Sequence, residues 1–272
     1  MSVRGSLSVA RVEWSKLVAQ LKVRAVLTAC VASPFAFATA MRTQSNMPTD
    51  TLFGRSVTDS GFAVPLVVLG FAALWALPVL ASLVGGDVFS AEDRYGTWTT
   101  ILTRSRSRAD VFTGKVLTAL CFSSISVVLV AVSSVAAGTM VIGRQPLVDL
   151  SGGLLSPGQA LARVLLAWTS VLLPTLSYSA FAVLISVATR SSAAGIGLPV
   201  IAALTMELYT LVDGPEAVRR LLISSAFGAW HGLLTEPPYY GPLLHGTLVS
   251  GAYLVGCLVL ARRMLLRRDI GR

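Results

Sequence analysis

The chain has 272 residues, of which 54% are hydrophobic and only 13% charged, with a mean hydropathy of +0.73. Soluble domains carry about 25% charged residues, so an ordinary soluble globular domain is excluded, and so is a disordered chain, because this much apolar surface has to be buried. The 22 Lys+Arg against 13 Asp+Glu give a net +9, but the basic residues flank apolar runs, which points to membrane topology and anionic lipid and not to nucleic acid.

Residues 8–23 predict an amphipathic helix. Ala10, Trp14, Leu17, Val18 and Leu21 recur at helical spacing on one side, and Arg11, Lys16, Gln20 and Lys22 lie off that stripe. Such a helix lies in the headgroup region as an interfacial helix; the plainer alternative is a polar lead-in to the first span. Six runs then suit a bilayer crossing, which takes about 20 apolar residues: 25–41, 62–84, 116–142, 164–188, 193–212 and 243–261. They are continuous and not alternating, so the expected fold is an all-α integral membrane protein and not a β-barrel. Pro34, Pro65, Pro78, Pro174 and Pro199 fall inside the runs, where proline is tolerated and marks kinks. With the N-terminus inside, the inner segments hold 16 basic residues and the outer ones 6. The expectation is therefore a multi-pass protein of the cell's inner (plasma) membrane with both termini cytoplasmic. Ala36–Ala40 resembles a signal-peptidase site, yet the long lead carrying Glu13 and Trp14 favours an uncleaved first span.

The segment 85–115 is the longest inner loop. Ser90 and Asp93 have capping-box spacing, Glu92 and Asp93 suit a helix N-terminus, and Gly96 marks a bend. Beyond it, Trp98, Ile101, Leu102 and Ser105 form a short apolar stripe, followed by Arg104, Arg106 and Arg108. A solvated loop accounts for the arginines but not for the stripe, which calls for a partner surface or the membrane. The outer segment 213–242 contains an apolar stretch, Leu221 to Leu234, too short to cross, and reads as a re-entrant segment before the last helix.

Glu207 is the one Asp, Glu, Lys or Arg inside the six runs. At about 1.5 Å per residue it lies some 22 Å along its helix from Ser192, near the outer interface. Intramembrane acids are functional candidates, so Glu207 is a substrate or gating candidate, with pairing to Arg219 or Arg220 as the structural alternative. Ser191 with Gly195, Ala193 with Gly197, and Gly246, Gly251 and Gly256 permit close helix approach.

Cys30, Cys121 and Cys257 sit singly in apolar runs and read as inert thiols, not a disulfide or metal set. His231 and His245 are the only histidines, no phosphate-binding loop surrounds Gly114-Lys115, and no nucleophile elbow occurs. No catalytic or metal site is expected in this chain, and no cofactor bound to it.

The loop resembles that of the permease subunits of type-2 ABC transporters, which carry an acidic-basic cluster, Gly-Thr-Leu, an apolar pair, Pro-x-Ser-Arg and then Gly-Lys. Here Glu92 and Arg94 match the cluster, Gly96-Thr97-Trp98 the Gly-Thr-Leu, Ile101-Leu102 the pair, Ser107-Arg108 the Ser-Arg and Gly114-Lys115 the close. Trp98 replaces leucine and Ser105 replaces proline. The resemblance implies ATPase-coupling roles for Glu92, Arg94, Gly96, Thr97, Trp98, Ile101, Leu102, Arg104 and Arg108. It also implies a separate ABC ATPase subunit holding ATP and Mg, a second permease copy in a homo- or heterodimer, and export of a hydrophobic or amphipathic substrate such as a drug, antibiotic or membrane-active peptide. The competing class is a stand-alone secondary transporter or channel using Glu207, which predicts a midplane ion site and an inverted repeat.

Overall fold

The structure, a computed structural model, describes residues 3–43, 52–98, 107–210, 212 and 214–267. Among these, six helices are long and apolar enough to cross a membrane. Helix α1 (Val3–Ala19) precedes them. The six are α2 (Leu21–Thr43), α3 (Ala63–Gly85), α5 (Arg108–Ile142), α6 (Pro157–Thr189), α7 (Ser192–Thr210) and α10 (Gly241–Arg267). Between them lie the short helices α4 (Ser90–Tyr95), α8 (Glu216–Leu221) and α9 (Ile223–Phe227), and a 3-10 turn Ala229–Leu234. The chain is thus an all-α integral membrane protein. One element has no counterpart in the sequence reading: strands β1 (Leu147–Val148) and β2 (Leu154–Leu155) pair antiparallel. Asp149 Oδ1 closes their turn by accepting the amides of Ser151 and Gly153 at 2.8 and 2.7 Å.

The prolines act locally as their chemistry requires. Pro78 cannot supply an N–H to Leu74, and the helix widens into a π-turn over Ala72–Ala76. Pro174 has the same relation to Ser170, and α6 breaks at Val171.

The second half of α6 is the hub of the bundle, packing on α3, α5, α7 and α10. It can do so because its inward residues are small: Ser177, Ser179, Ala180, Ala182 and Ser186 are all fully buried. A Cβ at Gly85 would come within 2.7 Å of the Ser179 carbonyl, and one at Gly86 within 2.3 Å of the Gly195 backbone. Of the small residues singled out in the sequence, Gly195 thus makes a backbone-to-backbone contact and Gly246 meets Ala226, whereas Gly197, Gly251 and Gly256 have nothing within 4 Å. Helices α3, α5 and α6 form the inner layer, and α2, α7 and α10 lie outside it with most of their apolar surface uncovered.

Helix α1 corrects the expected stripe. It ends at Ala19, and the chain restarts at Leu21 after a break at Gln20. Leu21, beyond the break, is 80% exposed, and Val18 is exposed on α1 itself. The face that packs runs through Ser6, Ala10, Glu13 and Leu17, and it lies along the start of α5.

Candidate functional site

The end of the bundle that carries α1, the 85–98 segment and the start of α5 is joined by ionised side chains. Lys115 projects from the first turns of α5. Its Nζ lies 2.8 Å from Glu13 Oε2 of α1, 2.8 Å from Glu92 Oε1 of α4 and 3.0 Å from the Val88 carbonyl. Its side chain is 2% exposed. A lysine this deep is tolerable only when each of its N–H donors is met and its charge is balanced, and here all three donors are met. Lys16 holds the other oxygen of Glu13 at 2.9 Å. A second group lies alongside: Asp87 accepts Lys22 of α2 at 2.6 Å and lies 3.6 Å from Arg94. Three separate pieces of chain, α1–α2, the loop and α5, are therefore tied by charge.

These contacts set the protonation of the carboxylates. Burial works against ionising Glu92, but the charge and hydrogen bond of Lys115 outweigh it and hold its pKa below the ordinary range. Asp87 is likewise lowered: burial opposes ionisation, and the bonds from Lys22 and Ser192, with the Arg94 charge, prevail.

The family-like motif residues gain physical roles. Gly96 ends α4 in the left-handed region at φ 63°, where glycine is favoured. The turn brings the Thr97 hydroxyl onto Glu92 Oε2. It also turns Trp98 inward, 6% exposed, stacked on Phe89 at 6.4 Å, with its Nε1–H donated to Asp93 at 3.1 Å. Trp98 is thus an anchor of the loop on its own chain, not a free contact. Arg94 lies over the Tyr95 ring at 4.8 Å. Ser107 caps α5, accepting the Asp110 amide at 3.1 Å and donating to its carboxylate at 2.6 Å. Asp110 in turn accepts Ser6 of α1 at 3.2 Å. Gly114 is small because a Cβ there would meet Val9 and the Ser6 carbonyl at 2.7 and 2.9 Å.

The expected capping box at Ser90 is not formed. The Ser90 hydroxyl turns back to the Gly86 carbonyl at 2.8 Å, its amide donates to Ser186 at 3.0 Å, and α4 begins without a side-chain cap. Ile101, Leu102 and Arg104 lie outside the described residues. Arg108 stands at the head of α5. Sequence reasoning missed Glu13, Lys22, Asp87 and Lys115 as partners of the loop. A signal existed for one of them: Glu13 is the single acidic residue in the first 49.

At the opposite end, Glu207 lines a cavity of about 380 Å³ between α3, α7 and the 224–231 segment. It does not pair with Arg219 or Arg220: Arg219 donates to the Val212 carbonyl at 3.1 Å, and Arg220 to Glu216 at 3.0 Å. The 224–234 segment is fastened from outside by Leu150, whose amide donates to the Leu234 carbonyl at 2.8 Å, and by Arg163, which donates to the Leu233 carbonyl. Trp230 stacks on Phe53 at 6.4 Å and its ring centroid lies 4.2 Å from that of His231. Burial holds the His231 imidazole below its ordinary range, so it is neutral at neutral pH.

The fold is that of a multi-pass helical membrane protein whose loop is pinned by ion pairs to its N-terminal helix. A family model described as ABC-2 family transporter protein matches residues 10–206, and the chain belongs to that family. Membership implies a membrane location and an ABC ATPase partner, and it speaks against the stand-alone transporter or channel. No curated relative matches the chain. The matched residues stop one short of Glu207.

Proposed function

We propose that this chain is the membrane-spanning permease subunit of an ATP-driven exporter, and that its 85–115 loop transmits the state of a separate ATPase to the spans. The observation that carries this reading is the Lys115 node, which clamps Glu92 of the loop to Glu13 of α1 at 2.8 Å each. A loop fixed in this way moves with α1 and α5 as one body. A displacement imposed on it is then passed to the bundle and not absorbed locally, as coupling through a packed network requires. In this reading both termini and the loop face the cytoplasm, in accord with the basic excess there, and α1 lies in the inner interface. The short helices α8 and α9 dip into the outer leaflet as a re-entrant segment. The uncovered faces of α2, α7 and α10 meet lipid or a second permease copy. Glu92, Arg94, Gly96, Thr97 and Trp98 shape the loop, and Ile101, Leu102, Arg104 and Arg108 meet the ATPase. ATP and Mg belong to that partner, and the nearly uncharged spans suit a hydrophobic or amphipathic cargo.

Affinity purification of the tagged chain from its native cells in mild detergent tests this. A stoichiometric ABC ATPase retained on wild type, and released when Arg108 and Trp98 are both replaced by alanine, supports the reading. A folded, abundant chain that retains no ATPase overturns it.

A further inference from the structure

The cavity at Glu207 carries chemistry that the coupling role does not use. Its walls are apolar and aromatic, with Phe71, Phe227 and Trp230 prominent, and among its described lining residues Glu207 supplies the only full charge. No Lys or Arg lines it, and Glu207 has no ion-pair partner among the described residues. A carboxylate wants a cation, and aromatic faces favour a positive charge beside apolar bulk.

We propose that this cavity binds compact lipophilic ammonium compounds, the N–H groups donated to Glu207 and the apolar body lying on Phe71, Phe227 and Trp230. The inference deepens the permease reading by naming a substrate class. A volume of about 380 Å³ lies at the small end of ligand sites, which span about 300–1,000 Å³. It admits one amine-bearing small molecule, and of a peptide no more than a side chain.

Equilibrium binding of tritiated 4-phenylbutylammonium to the full chain tests this, in nanodiscs of phosphatidylcholine alone and with empty nanodiscs subtracted. The permease is used without an ATPase, so failure of coupling and failure of the site are separable. Wild type is expected to bind saturably at one site per chain. Unlabelled 4-phenylbutylammonium should compete, and the neutral 4-phenylbutan-1-ol should compete about tenfold or more less well. Glu207→Gln should weaken binding by about tenfold, with Glu207→Asp retaining most of it. No saturable binding by folded wild type, equal competition by the alcohol, or binding unchanged by Glu207→Gln would each overturn the proposal. The alcohol comparison needs no variant, so a misfolded Glu207→Gln cannot shield it.

Discussion

Lys115 Nζ sits 2.8 Å from Glu92 Oε1 and 2.8 Å from Glu13 Oε2, so one buried cation holds two carboxylates from two different helices. Deleting one partner of a buried ion pair costs about 3–5 kcal/mol, because an uncompensated charge stays behind. Lys115→Met is therefore expected to lower the thermal unfolding midpoint of the purified protein substantially. Adding Glu92→Gln to it should restore part of the loss, since fewer unpaired carboxylates then remain. Strict additivity of the two changes would show that the pair is not coupled.

The same network dictates a pH dependence. Glu92 and Asp87 titrate below the ordinary carboxylate range in the folded protein, held there by Lys115 and by Lys22. A carboxylate with a depressed folded pKa binds protons more readily when unfolded. Its contribution is then fully present above the unfolded value and is lost as pH falls through the folded one. Wild type should lose thermal stability progressively below about pH 4.5, and Glu92→Gln with Asp87→Asn should flatten that acid limb while leaving the protein less stable at pH 7. Parallel acid limbs in the two proteins would rule this out.

The spans were legible because a run of some twenty uncharged apolar residues has one stable destination, whatever its neighbours do. Glycines 85, 86 and 114 show why the packing was not. Their meaning depends on which backbone lies opposite, and Gly114 opposes Ser6 from more than a hundred residues away. The N-terminal helix was legible only in part for a related reason: periodicity carried through Gln20 assumes one continuous helix, whereas α1 ends at Ala19 and Leu21 opens α2. In the loop, Glu92, Arg94, Gly96 and Thr97 were readable as a motif. That Lys115 is the residue they serve was not, because a lysine at the head of a span reads equally well as a topology signal. Ser224 and His231 joined Glu207 only through tertiary structure, since the short helices that carry them have no periodicity long enough to orient.

The glycines also separate into those that are and those that are not replaceable. A Cβ at Gly86 would lie 2.3 Å from the backbone of Gly195, where no side chain can yield, while Gly251 has nothing within 4 Å. Overpacking a tight helix contact costs about 1–3 kcal/mol. Gly86→Ala should therefore reduce the unfolding midpoint clearly, and Gly251→Ala should leave it unchanged or slightly raised through helix propensity. Gly114→Val falls between, because Val9 is a side chain but Ser6 presents a carbonyl. Its specific signature should be faster protease cleavage within α1, reporting a helix lifted off α5.

The last expectation concerns coupling itself. Glu92 accepts from two partners, Lys115 and Thr97, and Lys115 in turn holds Glu13, so Glu92→Gln loosens the loop without removing any residue proposed to meet the ATPase. Arg108→Ala instead removes a proposed ATPase contact. Reconstituted with the partner ATPase, Glu92→Gln should retain the subunit and its basal ATP hydrolysis but move less substrate per ATP, whereas Arg108→Ala should weaken retention as well. Substitutions along coupling networks shift coupling by about 0.5–2 kcal/mol, so transport per ATP should fall by about 2- to 30-fold. Trp98→Phe, which keeps the stack on Phe89 but loses the hydrogen bond to Asp93, should lie between wild type and Glu92→Gln. If both Glu92→Gln and Arg108→Ala show wild-type transport and substrate-stimulated hydrolysis, the loop's anchorage is structural and the route from ATPase to spans lies elsewhere.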